Sequence, residues 1–222
     1  YAPITTADAA NALVHVRAKP ANAGASAADY TVRVALADAA GQIAAAAEQM
    51  VAIPAAGDAE AAVGLTVAAP RLWNGRADPH LYSVIAELVA PDGAVADRVV
   101  QRFGIRQVRF DPNEGFFLNG APYRLLGVAM HQDFQGKAWA VTAADVEASL
   151  GLIMEIGANA VRLGHYPFSQ YTLDRLDELG LIAWAEAPLG LGVHVDSCTE
   201  EDATQQYVAN AQQQLMEMIR LQ

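Results

Sequence analysis

The sequence predicts two modules in tandem, an all-β module over residues 1–107 and an α/β module with a parallel sheet over residues 108–222. Two observations predict this division. In the first half, apolar and polar residues alternate with a period of two, which is typical of strands with one buried face. In the second half, short apolar runs alternate with helical patterns, which is typical of βα units.

Composition limits the kinds of partner that the chain can have. Its 222 residues carry a formal net charge of −11, whereas nucleic acids and anionic membrane surfaces are bound by clustered Lys and Arg. No apolar run is long enough to span a bilayer. We therefore expect a neutral ligand and neither a nucleic acid nor a membrane partner. The single cysteine, Cys198, excludes an internal disulfide and a cysteine-based zinc cluster.

The first module is predicted to be a β-sandwich. Period-two alternation is clearest in three segments, residues 30–36, 61–67 and 82–88. Ala40-Gly41 and Pro91-Asp92-Gly93 predict hairpin turns between strands. The alanine tract at 44–47 is expected to be a strand because β-branched residues flank it. Short strands at this spacing favour a sandwich of immunoglobulin type, and we see no catalytic constellation in it.

The second module is predicted to begin with a hairpin whose turn is Asn119-Gly120 and to continue with about three βα units. Strands are expected at residues 124–128, 159–163 and 181–185. Capping signals bound the helices: Thr142 with Asp145, Gly157, Ser169, Gly180, and the run 199–202. Three strands cannot close a (β/α)8 barrel, which needs about 250 residues. The last strand would therefore have an open edge, and we expect it to be covered by the rest of a longer chain or by an oligomer partner.

Polar side chains follow all three predicted strands of the second module. His131 and Asp133 follow the first strand, Arg162 and His165 lie at the end of the second, and Glu186 follows the third. Because the carboxyl ends of parallel strands meet at one rim, we expect these side chains to line a common binding site.

Aromatic residues near the same rim suit a sugar, which presents apolar C–H faces beside its hydroxyl groups. Trp139 lies in a loop and is expected to be exposed, whereas Trp184 lies within a strand and is expected to pack in the core. The rim carboxylates Asp133 and Glu186 are not expected to be a catalytic pair, because no pattern marks either as acid or nucleophile.

Two other classes of function remain open from these residues. His131, Asp133, His165 and Glu186 are plausible metal ligands of a small metallohydrolase. The predicted sandwich is also compatible with a non-catalytic carbohydrate-binding or adhesion module.

Short motifs occur in a fixed order along the chain: Leu72–Asn74, Asp78–Tyr82, Phe103–Arg106, Phe117–Gly120, Leu126–Val128, His131–Asp133, Gly157–Arg162, His165–Pro167, Asp177–Leu181 and Trp184–Pro188. Together they resemble glycoside hydrolase family 2, the family of β-galactosidases, β-glucuronidases and β-mannosidases. The resemblance implies an immunoglobulin-like middle domain followed by the first part of a TIM barrel. It also implies a retaining exo-β-glycosidase, most closely a β-galactosidase, that hydrolyses terminal β-glycosidic bonds by double displacement.

The resemblance also implies roles for the rim residues. Family residues that match His131 and His165 contact the sugar in the first subsite, and those that match Asp133 and Arg162 help to build that pocket. With Glu186, these form the expected substrate-binding set.

Catalytic residues, metal and cofactor are not expected within the chain itself. The acid/base and nucleophile glutamates of the family are expected beyond Gln222, so the 222-residue chain should be inactive alone. Gly190-Leu191-Gly192 stand where magnesium-dependent β-galactosidases carry Glu-Thr-His, so no site magnesium is expected. No cofactor is implied.

Overall fold

The computed structural model describes residues 4–8, 10–188 and 201–221 of the chain. By its internal contacts the chain divides into two compact units, Tyr1–Tyr123 and Arg124–Gln222. Residues 108–123 therefore make their contacts with the first unit, whereas the sequence boundary was drawn after residue 107. The domain boundary between residues 107 and 108 stays a prediction, because compact units defined by contacts need not coincide with domains.

The first unit is a β-sandwich, as predicted. Seven strands form its two sheets: β1 (Ile4–Ala7), β2 (Asn11–Ala18), β4 (Ala28–Ala37), β5 (Ile43–Ile53), β7 (Ala61–Ala68), β8 (Tyr82–Val89) and β9 (Val95–Phe103). One sheet has the strand order β1-β2-β7 and the other β5-β4-β8-β9. All neighbouring strands in both sheets are antiparallel. Two short strands, β3 (Ala21–Asn22) and β6 (Gly57–Asp58), pair with each other.

The sandwich core follows from the period-two pattern. In β7 every second residue is buried, and the same alternation occurs in β2 and in much of β4. Because successive strand side chains point to opposite faces, one face of each sheet packs against the other sheet. The alanine tract lies within β5, so its prediction as a strand is confirmed.

A small three-stranded sheet completes the first unit. It contains β10 (Val108–Asp111), β11 (Gly115–Leu118) and β12 (Ala121–Pro122). Asn119 and Gly120 form the turn between β11 and β12, with φ angles of 52° and 80°. Two successive left-handed residues are the requirement of a type I′ hairpin turn, so the predicted hairpin is confirmed.

The Asn119 side chain also connects this turn to the loop that contains Trp73. Its Nδ2 donates a hydrogen bond to the carbonyl oxygen of Trp73 at 3.0 Å, and its Oδ1 accepts one from the backbone N–H of Gln107 at 3.0 Å. The indole of Trp73 is fully buried. The turn residue is therefore also an anchor for the packing around this indole.

The second unit contains three βα units in chain order. Its elements are β13 (Gly127–Met130), α1 (Ala143–Glu155), β14 (Ala160–Leu163), α2 (Gln170–Leu179), β15 (Ile182–Ala185) and α3 (Glu201–Leu221). The strands pair in parallel in the order β13-β14-β15. The predicted α/β arrangement is confirmed, although β13 begins three residues later than the predicted start at residue 124.

Local capping explains where the helices begin and end. Thr142 and Asp145 form the predicted capping box of α1, and the Ser169 side chain caps the start of α2. Gly180 ends α2 in the left-handed conformation with φ of 73°, which glycine adopts without steric cost. The predicted cap at 199–202 falls mostly outside the described residues. Among the helices that the structure describes, none is both long and apolar enough to cross a membrane.

The core of the second unit lies among the helices and the sheet. Its largest fully buried side chains come from α1, β14 and α2 and from the residue that precedes β15, namely Leu150, Leu163, Leu176 and Leu181. Burial of these side chains positions the carboxyl ends of the strands, where the polar residues lie.

Candidate active-site rim

The parallel register brings the ends of the three strands to the same level. Met130 of β13 lies beside Leu163 of β14, which lies beside Ala185 of β15. The next residue of each chain segment is therefore at the rim of the sheet. These residues are His131, Gly164 and Glu186.

Arg162, His165 and Glu186 form one hydrogen-bonded cluster at this rim. The Nε of Arg162 donates to Oε1 of Glu186 at 2.6 Å, and its Nη2 lies 3.3 Å from Oε2. The Nδ1 of His165 lies 2.8 Å from the same Oε2. The guanidinium therefore holds the carboxylate by both oxygens, which is the strong geometry for this pair.

His131 extends the cluster to the end of β13. Its ring packs against the ring of His165 in an edge-on arrangement, with 5.3 Å between the ring centroids. Gly164 lies among these side chains. A Cβ at that position would lie 3.4 Å from Oε2 of Glu186 and 3.8 Å from Cε1 of His131, so a larger side chain would fill the space between them.

Asp133 is the one predicted site residue that does not join this cluster. It lies two residues beyond His131 and is exposed. Within the described part of the chain, its side chain makes no hydrogen bond to the other four residues. The structure thus brings together His131, Arg162, His165 and Glu186 and leaves Asp133 beside them in the loop.

A row of aromatic rings borders the rim on the loops that follow β13 and β14. The ring centroids of Trp139 and Tyr166 are 4.5 Å apart, and those of Tyr166 and Phe168 are 5.5 Å apart in a stacked arrangement. Trp139 is 62% exposed, as predicted. Trp184 was predicted to pack in the core but is 54% exposed, because β15 is an edge strand of the described parallel sheet.

Two contacts that position these loops were not predicted from the sequence. The hydroxyl oxygen of Tyr166 accepts a hydrogen bond from the backbone N–H of Gln132 at 2.9 Å. The side-chain oxygen of Gln132 accepts one from the backbone N–H of Ser169 at 3.3 Å. They tie the loop after β13 to the loop after β14. The only signal for these contacts in the sequence is that Gln132 and Tyr166 each follow a predicted site histidine directly.

The charge state of Glu186 follows from its partners. The hydrogen bond from Arg162, and then that from His165, hold the pKa of the Glu186 carboxyl below its ordinary value of 4.5. Hydrogen bonds to a carboxylate favour its charged form. Glu186 is therefore an anion over a wider pH range than a free glutamate.

This lowered pKa predicts a pH-dependent contribution to stability. A depressed folded-state pKa stabilises the fold above the unfolded-state pKa, and that contribution is lost as the pH falls through the folded-state pKa. The difference in unfolding free energy between the wild-type chain and Glu186→Gln should therefore narrow as the pH falls below about 4.5. Urea unfolding at a series of pH values measures it. When Arg162 is replaced by Met in both chains, this difference in unfolding free energy should narrow less as the pH falls. If it narrows as much as before, the hydrogen bond from Arg162 is not the cause of the lowered Glu186 pKa.

The structure bears on the alternative of a metal site. Over the residues it describes, no three His, Cys, Asp or Glu side chains are grouped closely enough to hold a metal ion. The predicted lack of magnesium ligands at 190–192 falls outside the described residues.

Comparisons with known proteins agree with the order of the two kinds of fold along the chain. The family model described as "Glycosyl hydrolases family 2" matches residues 2–106, and that of the TIM barrel domain of the same family matches residues 111–221. The chain thus consists of the family's immunoglobulin-like domain followed by part of its TIM barrel domain.

Two curated relatives and one solved structure illustrate the similarity. A β-glucuronidase of Bacteroides fragilis is 41% identical over 157 residues, which are 70% of this chain and 22% of that protein. The β-galactosidase BoGH2A of Bacteroides ovatus is 29% identical over 187 residues, 84% of this chain and 22% of that protein. The crystal structure of a Bacteroides uniformis β-glucuronidase superposes with a TM-score of 0.79 at 27% identity, covering 89% of this chain and 24% of that chain.

The relatives also show how long the chain is compared with other members of the family. It spans about a fifth of the length of the two curated relatives. The two family models together cover nearly all of its residues. The chain belongs to glycoside hydrolase family 2.

Proposed function

We propose that the chain is part of a longer retaining exo-β-glycosidase and that it contributes one wall of the pocket that binds the terminal sugar. The observation that carries this proposal is the clustering of His131, Arg162, His165 and Glu186 at the carboxyl end of the parallel sheet. Active sites of such barrels lie at this face. Asp133 is included as a pocket residue on the resemblance of its motif.

A neutral sugar suits this rim better than a charged one. The guanidinium of Arg162 is engaged by Glu186, so its charge is largely compensated. The exposed ring of Trp139 and the neighbouring ring of Tyr166 provide an aromatic surface against which the C–H face of a pyranose can pack. For these reasons a β-galactoside is the substrate that we propose.

A β-glucuronide is the second candidate, and a separate observation favours it. The B. fragilis relative with 41% identity is a β-glucuronidase. The two candidates are separated by assaying the longer protein that contains this chain with chromogenic β-galactoside and β-glucuronide. A higher kcat/KM for the glucuronide would replace the first candidate with the second.

The chemical step itself needs two carboxylates that the rim does not supply. A retaining glycosidase uses a general acid whose pKa is raised and a nucleophile about 5–5.5 Å from it. Glu186 has a lowered pKa, and both of its oxygens already accept hydrogen bonds. We therefore assign it to the binding wall, and we assign both steps of the double displacement to carboxylates elsewhere in the longer enzyme.

This assignment predicts that the 222-residue chain alone does not hydrolyse glycosides. When the purified chain is incubated with a chromogenic nitrophenyl β-galactoside, nitrophenol should be released no faster than in buffer without the chain. Galactose should nevertheless shift the side-chain NMR signals of His131 and His165. Turnover that copurifies with the chain and is abolished by Glu186→Gln would contradict the assignment, and unshifted histidine signals would contradict the sugar pocket.

Among the described strands β15 pairs only with β14, and we also propose that its other edge is covered in the longer enzyme, either by a further strand of the same chain or by an oligomer partner. Ala183, Trp184 and Ala185 are all exposed in this apolar strand. An uncovered edge of this kind is prone to pair with another strand.

A further inference from the structure

Glu186 directs both of its carboxylate oxygens at neighbouring side chains. Its Oε1 accepts from Nε of Arg162, and its Oε2 accepts from Nη2 of Arg162 and lies 2.8 Å from Nδ1 of His165. The side chain is 22% exposed. Its hydrogen-bonding capacity is therefore directed mainly at Arg162 and His165, and any effect on a ligand must act through them.

The contacts around Nδ1 of His165 decide where the imidazole carries its proton. Nδ1 lies 2.8 Å from the Glu186 oxygen and 3.2 Å from Nη2 of Arg162. An ionised carboxylate can only accept a hydrogen bond and a guanidinium can only donate one. Nδ1 cannot satisfy both partners at once.

The carboxylate is the partner that Nδ1 satisfies. It is the closer of the two, and Nη2 of Arg162 already has an acceptor in the same carboxylate oxygen. An unprotonated Nδ1 would direct its lone pair at an anionic oxygen 2.8 Å away, which is repulsive. Nδ1 therefore carries the hydrogen, as is common where a carboxylate orients a functional histidine.

We infer that Glu186 is a positioning residue that fixes the tautomer of the uncharged His165 ring with its hydrogen on Nδ1, so that Nε2 presents a lone pair to a hydroxyl group of the sugar. The contact with the ring of His131 restricts rotation of the imidazole. The hydrogen bond from a sugar hydroxyl to Nε2 rests on the proposed sugar pocket, whereas the tautomer of His165 concerns only the chain itself.

The tautomer also determines which chemical group of a ligand can form a hydrogen bond with Nε2 of His165. A neutral imidazole with a hydrogen on Nδ1 has only an acceptor at Nε2. A sugar hydroxyl can donate to it, whereas a carboxylate, which has no hydrogen to donate, would meet a second lone pair. Glu186 thereby favours a neutral sugar at this position.

Long-range proton–nitrogen correlation NMR on the isotopically labelled 222-residue chain tests the tautomer directly. The His165 signals are identified by their loss in His165→Gln. At about pH 9, where an imidazole carries a single hydrogen, we expect the protonated-type shift at Nδ1 and the unprotonated-type shift at Nε2. The opposite pattern would overturn the inference, and this measurement needs no variant of Glu186.

Two variants test the role of Glu186 in setting this tautomer. Glu186→Ala should shift His165 toward the Nε2–H form. The matched control is Glu147→Ala, which removes a carboxylate that pairs with Arg175 between α1 and α2 and should leave the tautomer unchanged. Equal effects of the two variants, or no effect of Glu186→Ala in a chain with native circular dichroism, would overturn the inference.

A galactose titration of the same samples separates the two proposals. Loss of the oriented acceptor should weaken binding to Glu186→Ala by roughly tenfold, the effect of about one hydrogen bond. If the wild-type chain shows the predicted tautomer but binds no galactose, the sugar pocket fails and the positioning role stands. If galactose binds and the tautomer is the opposite one, the positioning role fails and the pocket stands.

Discussion

Replacement of Trp73 by alanine is expected to lower the unfolding free energy of the chain by about 3–5 kcal/mol. The indole is fully buried in the first unit. The guanidinium of Arg106 lies 4.7 Å from the ring centroid, and Cβ of Trp73 lies 3.1 Å from the position that a Cβ on Gly104 would take. Tight packing of this kind cannot collapse around an alanine, so a cavity adds to the lost transfer free energy.

Equilibrium unfolding in urea, followed by circular dichroism, measures the effect. Met50→Ala is the control in the same unit, because Met50 is 72% exposed and its truncation should change stability by no more than about 0.5 kcal/mol. Similar losses in the two variants would show that Trp73 does not pack as described.

Leu150→Ala should destabilise the second unit by about 2–5 kcal/mol. Leu150 is 1% exposed and packs among the buried side chains that hold α1 against the sheet. Loss of this packing should loosen the position of α1, and with it the strand ends that carry the rim residues. Urea unfolding followed by the helical circular dichroism signal reports on this unit, because the described helices α1, α2 and α3 all lie in it.

Leu152→Ala supplies a matched control on the same helix. It makes the same chemical change at a position that is 65% exposed, so helix propensity changes equally in both variants. We expect a change within about 0.5 kcal/mol. If Leu152→Ala were as destabilising as Leu150→Ala, the face of α1 that packs in the core would be wrongly assigned.

Much of the fold could be predicted from local patterns in the sequence. Alternation in residues 61–67 identified a strand with one buried face, and the left-handed pair Asn119-Gly120 identified a hairpin. Thr142, Ser169 and Gly180 marked helix ends because capping depends on residues close in sequence. These signals are local, so they can be read without knowing the neighbours in space.

The candidate site could be predicted only in part. Placement of His131, His165 and Glu186 at one rim followed from the parallel order of the strands, and the structure brings them together. The separation of Asp133 from the cluster did not follow, because the path of a loop depends on contacts distant in sequence. The exposure of Trp184 was missed for a similar reason, since an apolar strand residue is buried only where another element covers it.

The sequence by itself determined the order of the elements, the membership in family 2 and the set of polar residues at the strand ends. Tertiary structure alone decided which of those residues bond to one another. Glu186 meets Arg162 and His165 because β14 and β15 pair in one particular register. Hydrogen bonds depend on distances of a few tenths of an ångström, and only the packed arrangement of strands and helices sets distances on that scale.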